Sequence, residues 1–398
     1  YGAPPIVRPC HPNRGQGSRM CACQTDDSPA SERTPMTVHD IPNTPENREK
    51  FAHAGREQMA ALGLKEGTVE VWEDGYRAAD SPADTFEWWY FDVQFDDGST
   101  LVVTYSNKPH TDPSGPITPQ VLLIRQQADG TSHRKVDEFT EADFAASTAK
   151  CDVRVGPNTV TGDLDTYTLH VEVDGVVADL VIERQAPSWR PGAGVSYFDS
   201  SKQHYLAWVV PVPYGTVTAT IVEGGETKQL TGSAYHDHNW GNKLMGSFLD
   251  YWYWGRAHVG DYTLVYVRMT TKGMFPVGQF NLPTFYLATK DAVITDELLP
   301  LRLTTTGSVD GPGHQTYPTK LEWTWETERG RIAFTATNPK LIEALDMAEG
   351  RHGIGKLLHA GEHPMYYDFN ADFELTIDLD DLKDHVVGKT LYEKMMFR

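Results

Sequence analysis

The stretch FEWWYFDVQF, residues 86–95, is followed by Asp97-Gly98 and then by STLVVTYS, residues 99–106. Two short runs of aromatic and β-branched residues hinged on an Asp-Gly pair are a strong local signal for an antiparallel hairpin. The texture recurs along the chain. TYTLHVEV (166–173) and VVADLVIE (176–183) flank Asp174-Gly175, and TVTATIVEG (216–224), GDYTLVYVRMT (260–270), KLEWTWETE (320–328) and DFELTIDL (372–379) repeat the alternation. At least ten strands are expected, helical periodicity is nearly absent, and the fold class is all-β, sandwiches or barrels, of which the barrel option removes exposed edges.

One helix interrupts this pattern. Thr44-Pro45-Glu46 supplies an N-cap, a first-turn proline and an early acid, and Gly63 supplies a stop. Its apolar residues Phe51, Met59 and Leu62 are few, so the spacing predicts a brace laid across a barrel. The division expected is a disordered tail over 1–36, a helical appendage over 37–84 and two β domains, 85–250 and 251–398. The boundary is set by the less regular run WGNKLMGSFLDYWYWGRAHVGD (240–261). LIEALDMAEGRHGIGKLLHAG (341–361) reads as a short helix or a lid-like loop.

The chain carries 398 residues and a net charge of -20, with no run of clustered Lys and Arg, which argues against nucleic acid as a partner. No apolar run approaches the length of a membrane helix, so no stable membrane insertion is expected. Three of the four cysteines, Cys10, Cys21 and Cys23, lie in the tail and only Cys151 in the body, which fits a reducing cytoplasm rather than a disulfide framework. Residues 1–36 lack a signal-peptide core, although a leader removed earlier, and hence secretion, stays open. Oligomeric state is not legible.

The densest chemistry lies in YHDHNWG, residues 235–241, with Trp252, Tyr253 and Trp254 close behind. On a strand, alternation puts His236, His238 and Trp240 on one face and Tyr235, Asp237 and Asn239 on the other. Imidazoles can move protons, a carboxylate can fix a ring tautomer, and an indole can stabilise developing positive charge. The plainer reading is a satisfied hydrogen-bond network. His-x-His is also half of a metal site, but Glu87, His204, His258 and His363 offer further ligands by residue type alone, so no metal is expected. Glu87-Trp88-Trp89-Tyr90-Phe91-Asp92 supplies a second cluster, in which Trp88 can face a pocket and a buried Glu87 could act as a general acid. Tyr266 and Arg268 share a strand face, and Arg268 could pair with a carboxylate or an anionic ligand. No phosphate loop, Gly-x-Ser-x-Gly elbow or His-Glu-x-x-His helix is present, so no cofactor is expected.

EWWYFD (87–92) and YHDHNWG (235–241), in this order, together with HYLAWVVPVPYGTVTATI (204–221), YPTKLEWTWE (317–326) and MYYDFNADFEL (365–375), resemble the carotenoid 1,2-hydratases and their relatives, kievitone hydratase and the lipocalin-like Diels-Alderases. The resemblance covers roughly residues 80–398. It implies an N-terminal β-sandwich or distorted barrel joined to a C-terminal lipocalin-like barrel, with an apolar ligand bound between or within them and no cofactor. The substrate expected is bulky and isoprenoid-like, and peripheral membrane access to it is an option beside a cytoplasmic location. It places the family's His and Trp at His238 and Trp240 and its downstream tyrosine near Tyr266. An acid expected just after that tyrosine is replaced by Val267 and Arg268.

The leading expectation is therefore a hydratase or related lyase working by carbocation chemistry. Asp237 or Glu87 would donate the proton, His238 with His236 would handle water, Trp240 and Tyr266 would stabilise the cation, and Trp88, Tyr235, Trp254 and Arg268 would line the substrate site. A pericyclase folding a polyene, in which Arg268, His236 or Tyr235 would bond to a substrate carbonyl, and a non-catalytic lipid or pigment carrier are the alternatives.

Overall fold

Strand pairing begins where the aromatic run begins. In a computed structural model that describes residues 37–397 apart from 112, 274–277 and 348–363, β1 (Phe86–Phe95) joins the next strand across Asp97-Gly98. Gly98 takes the left-handed backbone (φ 85°) that the turn requires. β1 is the centre of a twelve-stranded antiparallel sheet built from residues up to Gly241, where its neighbours include β2 (Tyr205–Glu223) and β3 (Glu226–Gly241). β1 and β3 pair without a break from Gly232↔Phe95 to Gly241↔Phe86. Gly232 permits this approach, since a Cβ there would lie 2.1 Å from the Gln94 carbonyl oxygen. The irregularities fall on the other side of β3, where its pairing with β2 shifts between Val209 and Gly215.

The chain then passes through residues 242–248 into a second, ten-stranded sheet. It contains β4 (Leu249–Val259), β5 (Tyr262–Thr271), β6 (Gly330–Asp346), β7 (Met365–Leu379) and β8 (Lys383–Met396). The run read as irregular is thus a regular strand over most of its length. Leu341–Asp346, read as a helix or lid, continues β6, and the remainder of that run lies largely outside the described residues.

Both sheets curl, and each wraps its own apolar interior. Trp89, Phe91, Val93, Leu101, Tyr105, Leu169 and Val171 fill the first, and Tyr253, Tyr266, Trp323, Phe334, Phe373 and Tyr392 the second. Because side chains alternate, each strand's other row faces outward, and the outward rows of β1 and β3 meet those of β4, β7 and β8. The contact is partly apolar: one cluster joins Trp189, Val210 and Tyr235 to Val265 and Tyr286, and another joins Phe86 to Leu249, Met395 and Phe397.

The helix α1 (Pro45–Leu62) forms as its caps predict. Thr44 Oγ1 accepts from Asn47 N at 3.2 Å, and Gly63 closes the helix at φ 71°. None of its residues is buried, so it is held by its polar groups. Gln58 donates to Val195 O of the first sheet at 2.9 Å, and Arg48 pairs with Glu328 of the second. It spans both sheets as a brace. No described helix is long and apolar enough to cross a membrane.

Candidate active site

Period-two alternation sends the YHDHNWG residues to two places with different chemistry. His236 and His238 point into the first sheet and are fully buried. His236 stacks on Phe91 with ring centres 4.0 Å apart, and His238 stacks on Trp89 at 4.6 Å. The 3-10 turn Val71–Asp74 inserts Asp74 beside them, with Asp74 Oδ2 3.2 Å from His236 Nε2 and accepting from the Tyr167 hydroxyl at 2.6 Å. Burial alone would raise the Asp74 carboxyl, but the closeness of His236 and His238 outweighs it and holds the carboxyl well below its ordinary range. Asp74 and Glu87 push His238 upward against its own desolvation.

Glu87 completes this group. Oε1 accepts from Arg77 N at 2.8 Å and lies 2.7 Å from His238 Nε2, and Oε2 accepts from Ala78 N at 2.6 Å. With both oxygens committed and the residue sealed from solvent, Glu87 has no free atom for a substrate. Trp240, on the same face, lines a cavity of ≈ 290 Å³ with the rings of Trp72, Tyr197, Tyr205 and Trp208 and the charged Glu73, Arg77 and Arg190, near the helix end at Leu62.

The other face opens between the sheets. Asp237 accepts hydrogen bonds from Tyr235 Oη (2.8 Å), Trp208 Nε1 (2.9 Å) and Asn239 Nδ2 (2.8 Å). Desolvation nonetheless pushes its carboxyl up to about 6. The Tyr235 ring meets Trp254 at 5.3 Å, and the Arg256 guanidinium lies 5.5 Å over that ring while donating to Asp92 at 2.6 and 3.1 Å. Beside them, three carboxylates from three neighbouring strands form a row in which Glu343 of β6 is opposite Asp368 of β7, and Asp368 is opposite Glu393 of β8.

The row is crowded with like charge. Glu393 accepts from Trp252 Nε1 at 2.8 Å, yet burial, reinforced by Asp237 and Asp92, pushes it up to about 7. Asp368 is driven well above the usual carboxylate range, first by burial and then by Asp92, Glu393 and Glu343, and its Oδ1 is without a hydrogen-bond partner. Trp88, Tyr90, Trp252, Trp254 and Tyr366 share these outward faces and are only half-buried, so their rings keep surface open to a ligand. Past Arg256 the gap widens into a polar crevice of ≈ 630 Å³ bordered by Gln94, Thr216, Ser233, His258 and Lys389.

Tyr266 and Arg268 do not join this constellation. They share a face as their spacing predicts, but it is the interior of the second sheet. Tyr266 is fully buried against Trp323 and Phe334, its hydroxyl 2.6 Å from Thr390 Oγ1, and Arg268 bonds to Leu303 O at 3.2 Å beneath the rings of Tyr251 and Tyr253. Gly255 leaves the space that the Tyr266 ring fills, since a Cβ there would lie 2.4 Å from it. Tyr266→Phe is therefore expected to lower stability by about 1 kcal/mol, the worth of one buried hydrogen bond, with turnover unchanged. Urea unfolding and an activity assay on the same preparation check this, and a turnover defect without a stability loss would contradict it.

Of the ten residues singled out by sequence, Asp237, Tyr235, Trp254 and Trp88 thus face the gap between the sheets. His236, His238 and Glu87 lie behind β3, with Trp240 at the cavity on that side, and Tyr266 and Arg268 lie inside the second sheet. Asp368, Glu393 and Glu343 escaped sequence reasoning. The available signal was aromatic residues sharing the supposedly solvent-facing rows of their strands: Tyr366 two residues before Asp368, and Trp252 and Trp254 on β4.

Two curled, almost wholly antiparallel sheets joined face to face, with an aromatic and acidic seam between them, define a lipocalin-like β protein. The chain belongs to the Diels-Alderase-like family, whose model matches residues 83–299. Among curated proteins it is similar to a quinolone epoxide rearrangement protein of Emericella nidulans, 27% identical over 203 residues, covering 46% of this chain and 54% of that protein. It is also similar to a hydroxyneurosporene dehydrogenase of Chlorobaculum tepidum, 24% identical over 238 residues, covering 52% and 62%. The matches therefore span somewhat over half of these relatives. Among solved structures, kievitone hydratase of Nectria haematococca superposes with a TM-score of 0.54 at 15% identity, over 83% of this chain and 93% of that one. The resemblance read from the two motifs is borne out, as is the all-β, lipocalin-like fold.

Proposed function

We propose that the chain is an enzyme that starts carbocation chemistry on an apolar small molecule by protonating it from the Asp368–Glu393 pair. The observation that carries this reading is a set of carboxyl groups held toward their neutral form at neutral pH among half-buried aromatic rings. Two carboxylates directly opposite on adjacent strands and removed from water share protons as a unit, and one stays protonated where an isolated acid would ionise.

The chemistry follows from that proton. Transfer to an alkene carbon or to an epoxide oxygen leaves a carbocation and a carboxylate. The faces of Trp254, Tyr90 and Trp88 stabilise the cation, and the new carboxylate is its counter-ion. Attack by water, with loss of a proton to the carboxylate, completes a hydration. Loss of a neighbouring C–H proton to the same carboxylate completes an isomerisation, and in an opened epoxide a 1,2-shift followed by loss of the hydroxyl proton completes a rearrangement to a carbonyl; in each case the acid is regenerated. Asp237 holds Tyr235, Trp208 and Asn239 in place as the wall of the site. The activities for which these relatives are named, epoxide rearrangement and hydration, both fit a single acid-initiated step. The family match favours cyclisation of a polyene in the same gap as the second reading.

Incubation of the full chain with prenylated alkenes and their epoxides in ¹⁸O-labelled water separates these outcomes. Hydration places the label in the product, rearrangement and isomerisation do not, and in a parallel incubation in deuterium oxide solvent deuterium enters carbon only where an alkene is protonated. A product formed with neither label and at equal rate by Glu393→Gln would support cyclisation and reject the acid mechanism.

The pH dependence has a definite sign. Glu393 is raised from 4.5 to about 7 and Asp237 from 3.8 to about 6, so the folded state binds these protons more tightly than the unfolded chain. Their contribution to stability is present below the unfolded values and is lost as pH rises through about 7. Turnover should fall over the same upper limb. Thermal unfolding and a pH–rate profile measured together check it, and stability rising between pH 5 and 7.5 in wild type but not in Glu393→Gln would contradict it.

A further inference from the structure

Behind β3, the buried polar group around Asp74 plays no part in the chemistry proposed between the sheets. Asp74, Cys151, His236 and His238 are all almost completely buried. Ligand atoms of Asp74, Cys151 and His236 lie within 4.8 Å of one another. The hydrogen bonds determine which ring nitrogens are left over. His236 Nδ1 lies 2.9 Å from the Tyr90 carbonyl and donates to it, so that Nε2 is the lone-pair nitrogen of the neutral ring, 3.2 Å from Asp74 Oδ2. His238 Nε2 donates to Glu87 Oε1, so that Nδ1 is left facing Asp74 Oδ1 at 3.3 Å. That contact is too poorly aligned for a hydrogen bond, and both atoms are buried without a partner.

Two acceptor nitrogens and a carboxylate therefore converge in a dry interior with a thiol beside them. Such an arrangement is repulsive unless each ring carries a second proton or one cation occupies the centre. Three features favour the cation. The far nitrogen of each ring is anchored on a carbonyl or a carboxylate, the arrangement that orients and strengthens imidazole ligands of a metal. The Tyr167 hydroxyl steadies the carboxylate by donating to Asp74 Oδ2. The thiol is at hand although Cys151 lies 85 positions from His236 in sequence. We infer that Asp74, Cys151 and His236 bind one divalent transition-metal ion, zinc by the softness of an imidazole, a thiolate and a carboxylate, with His238 Nδ1 facing the other Asp74 oxygen. A site held by three protein ligands and sealed from solvent by their burial is structural. It ties the turn at Asp74 and the strand following Cys151 to β3, and so fixes the strand whose opposite face carries Asp237.

Metal content of the full-length wild-type chain, purified without chelator and measured by plasma mass spectrometry, should be one zinc per chain. Refolding with cobalt(II) in place of zinc should give thiolate-to-cobalt charge-transfer absorption that Cys151→Ser abolishes. A triple Cys10→Ser, Cys21→Ser, Cys23→Ser variant should retain both signals. The inference is overturned if wild type contains no metal and refolds to the same melting temperature with or without zinc or cobalt, in which case the rings carry the charge as protons. It is equally overturned if bound metal survives Cys151→Ser and His236→Gln but disappears from the triple variant. These readouts need no substrate, so failure here leaves the acid mechanism between the sheets standing, and failure of that mechanism leaves the metal site standing.

Discussion

Glu393→Gln is expected to lower turnover by about 10²–10⁴-fold, the range a positioned general acid contributes, while the melting temperature stays level or rises. The two effects have one cause. The amide keeps the size of the side chain and can still accept from Trp252 Nε1, but it carries no transferable proton and removes one member of a crowded carboxylate row. Functional sites commonly hold such destabilising arrangements, so a gain in stability coupled to a loss of rate marks a group retained for chemistry. Asp368→Asn should behave similarly. Because the pair titrates as a unit, the double variant should lose little more than the stronger single one. Thermal unfolding and turnover of the three variants decide this. Additive losses would show that the two carboxyls act separately.

Arg256→Met is expected to cost about 3–5 kcal/mol of stability, because it leaves the buried Asp92 carboxylate without the cation that faces it across the sheet junction. Most of this cost belongs to the orphaned charge, so Arg256→Met combined with Asp92→Leu should recover much of the loss. Urea denaturation of the single and double variants measures it. If the double variant is as unstable as the single one, the guanidinium is holding the sheets by its contact with Tyr235 and not by neutralising Asp92.

What the sequence makes legible here is what short-range physics determines. The Asp-Gly turns, the Thr44 and Gly63 caps and the period-two rows depend on residues within a few positions of each other, and all appear in the structure as read. The division of YHDHNWG into two faces was legible for the same reason, and the unbroken register of β3 on β1 leaves the alternation intact. Pairing across the seam was not legible. Asp368 and Glu393 lie on outward rows of β7 and β8, and an outward polar residue on a strand looks the same whether it meets water or a second sheet. Asp74 is hidden for a different reason: a 3-10 turn with no periodicity carries it into the first interior. Strand alternation pairs Tyr266 with Arg268 but only family position assigns it a role, and the Gly255 gap that draws its ring inward is a tertiary feature.

These limits explain why the acid looked absent from the motif. The residues after Tyr266 supply none, and Glu87 is fully engaged within the first sheet. The strands that complete the site come more than a hundred positions after the motif, and they bring acids that only burial by the first sheet makes reactive.

The central claim is that a carboxyl group between the sheets remains protonated near neutral pH. Difference infrared spectroscopy of the full chain, titrated from pH 5 to 8, measures it directly through the carbonyl stretch of protonated carboxyls. The account predicts a band that persists at pH 6.5, disappears with a midpoint near 7, and is missing or displaced in Glu393→Gln. A spectrum in which every carboxyl has ionised by pH 5.5, unchanged by that substitution, would contradict it.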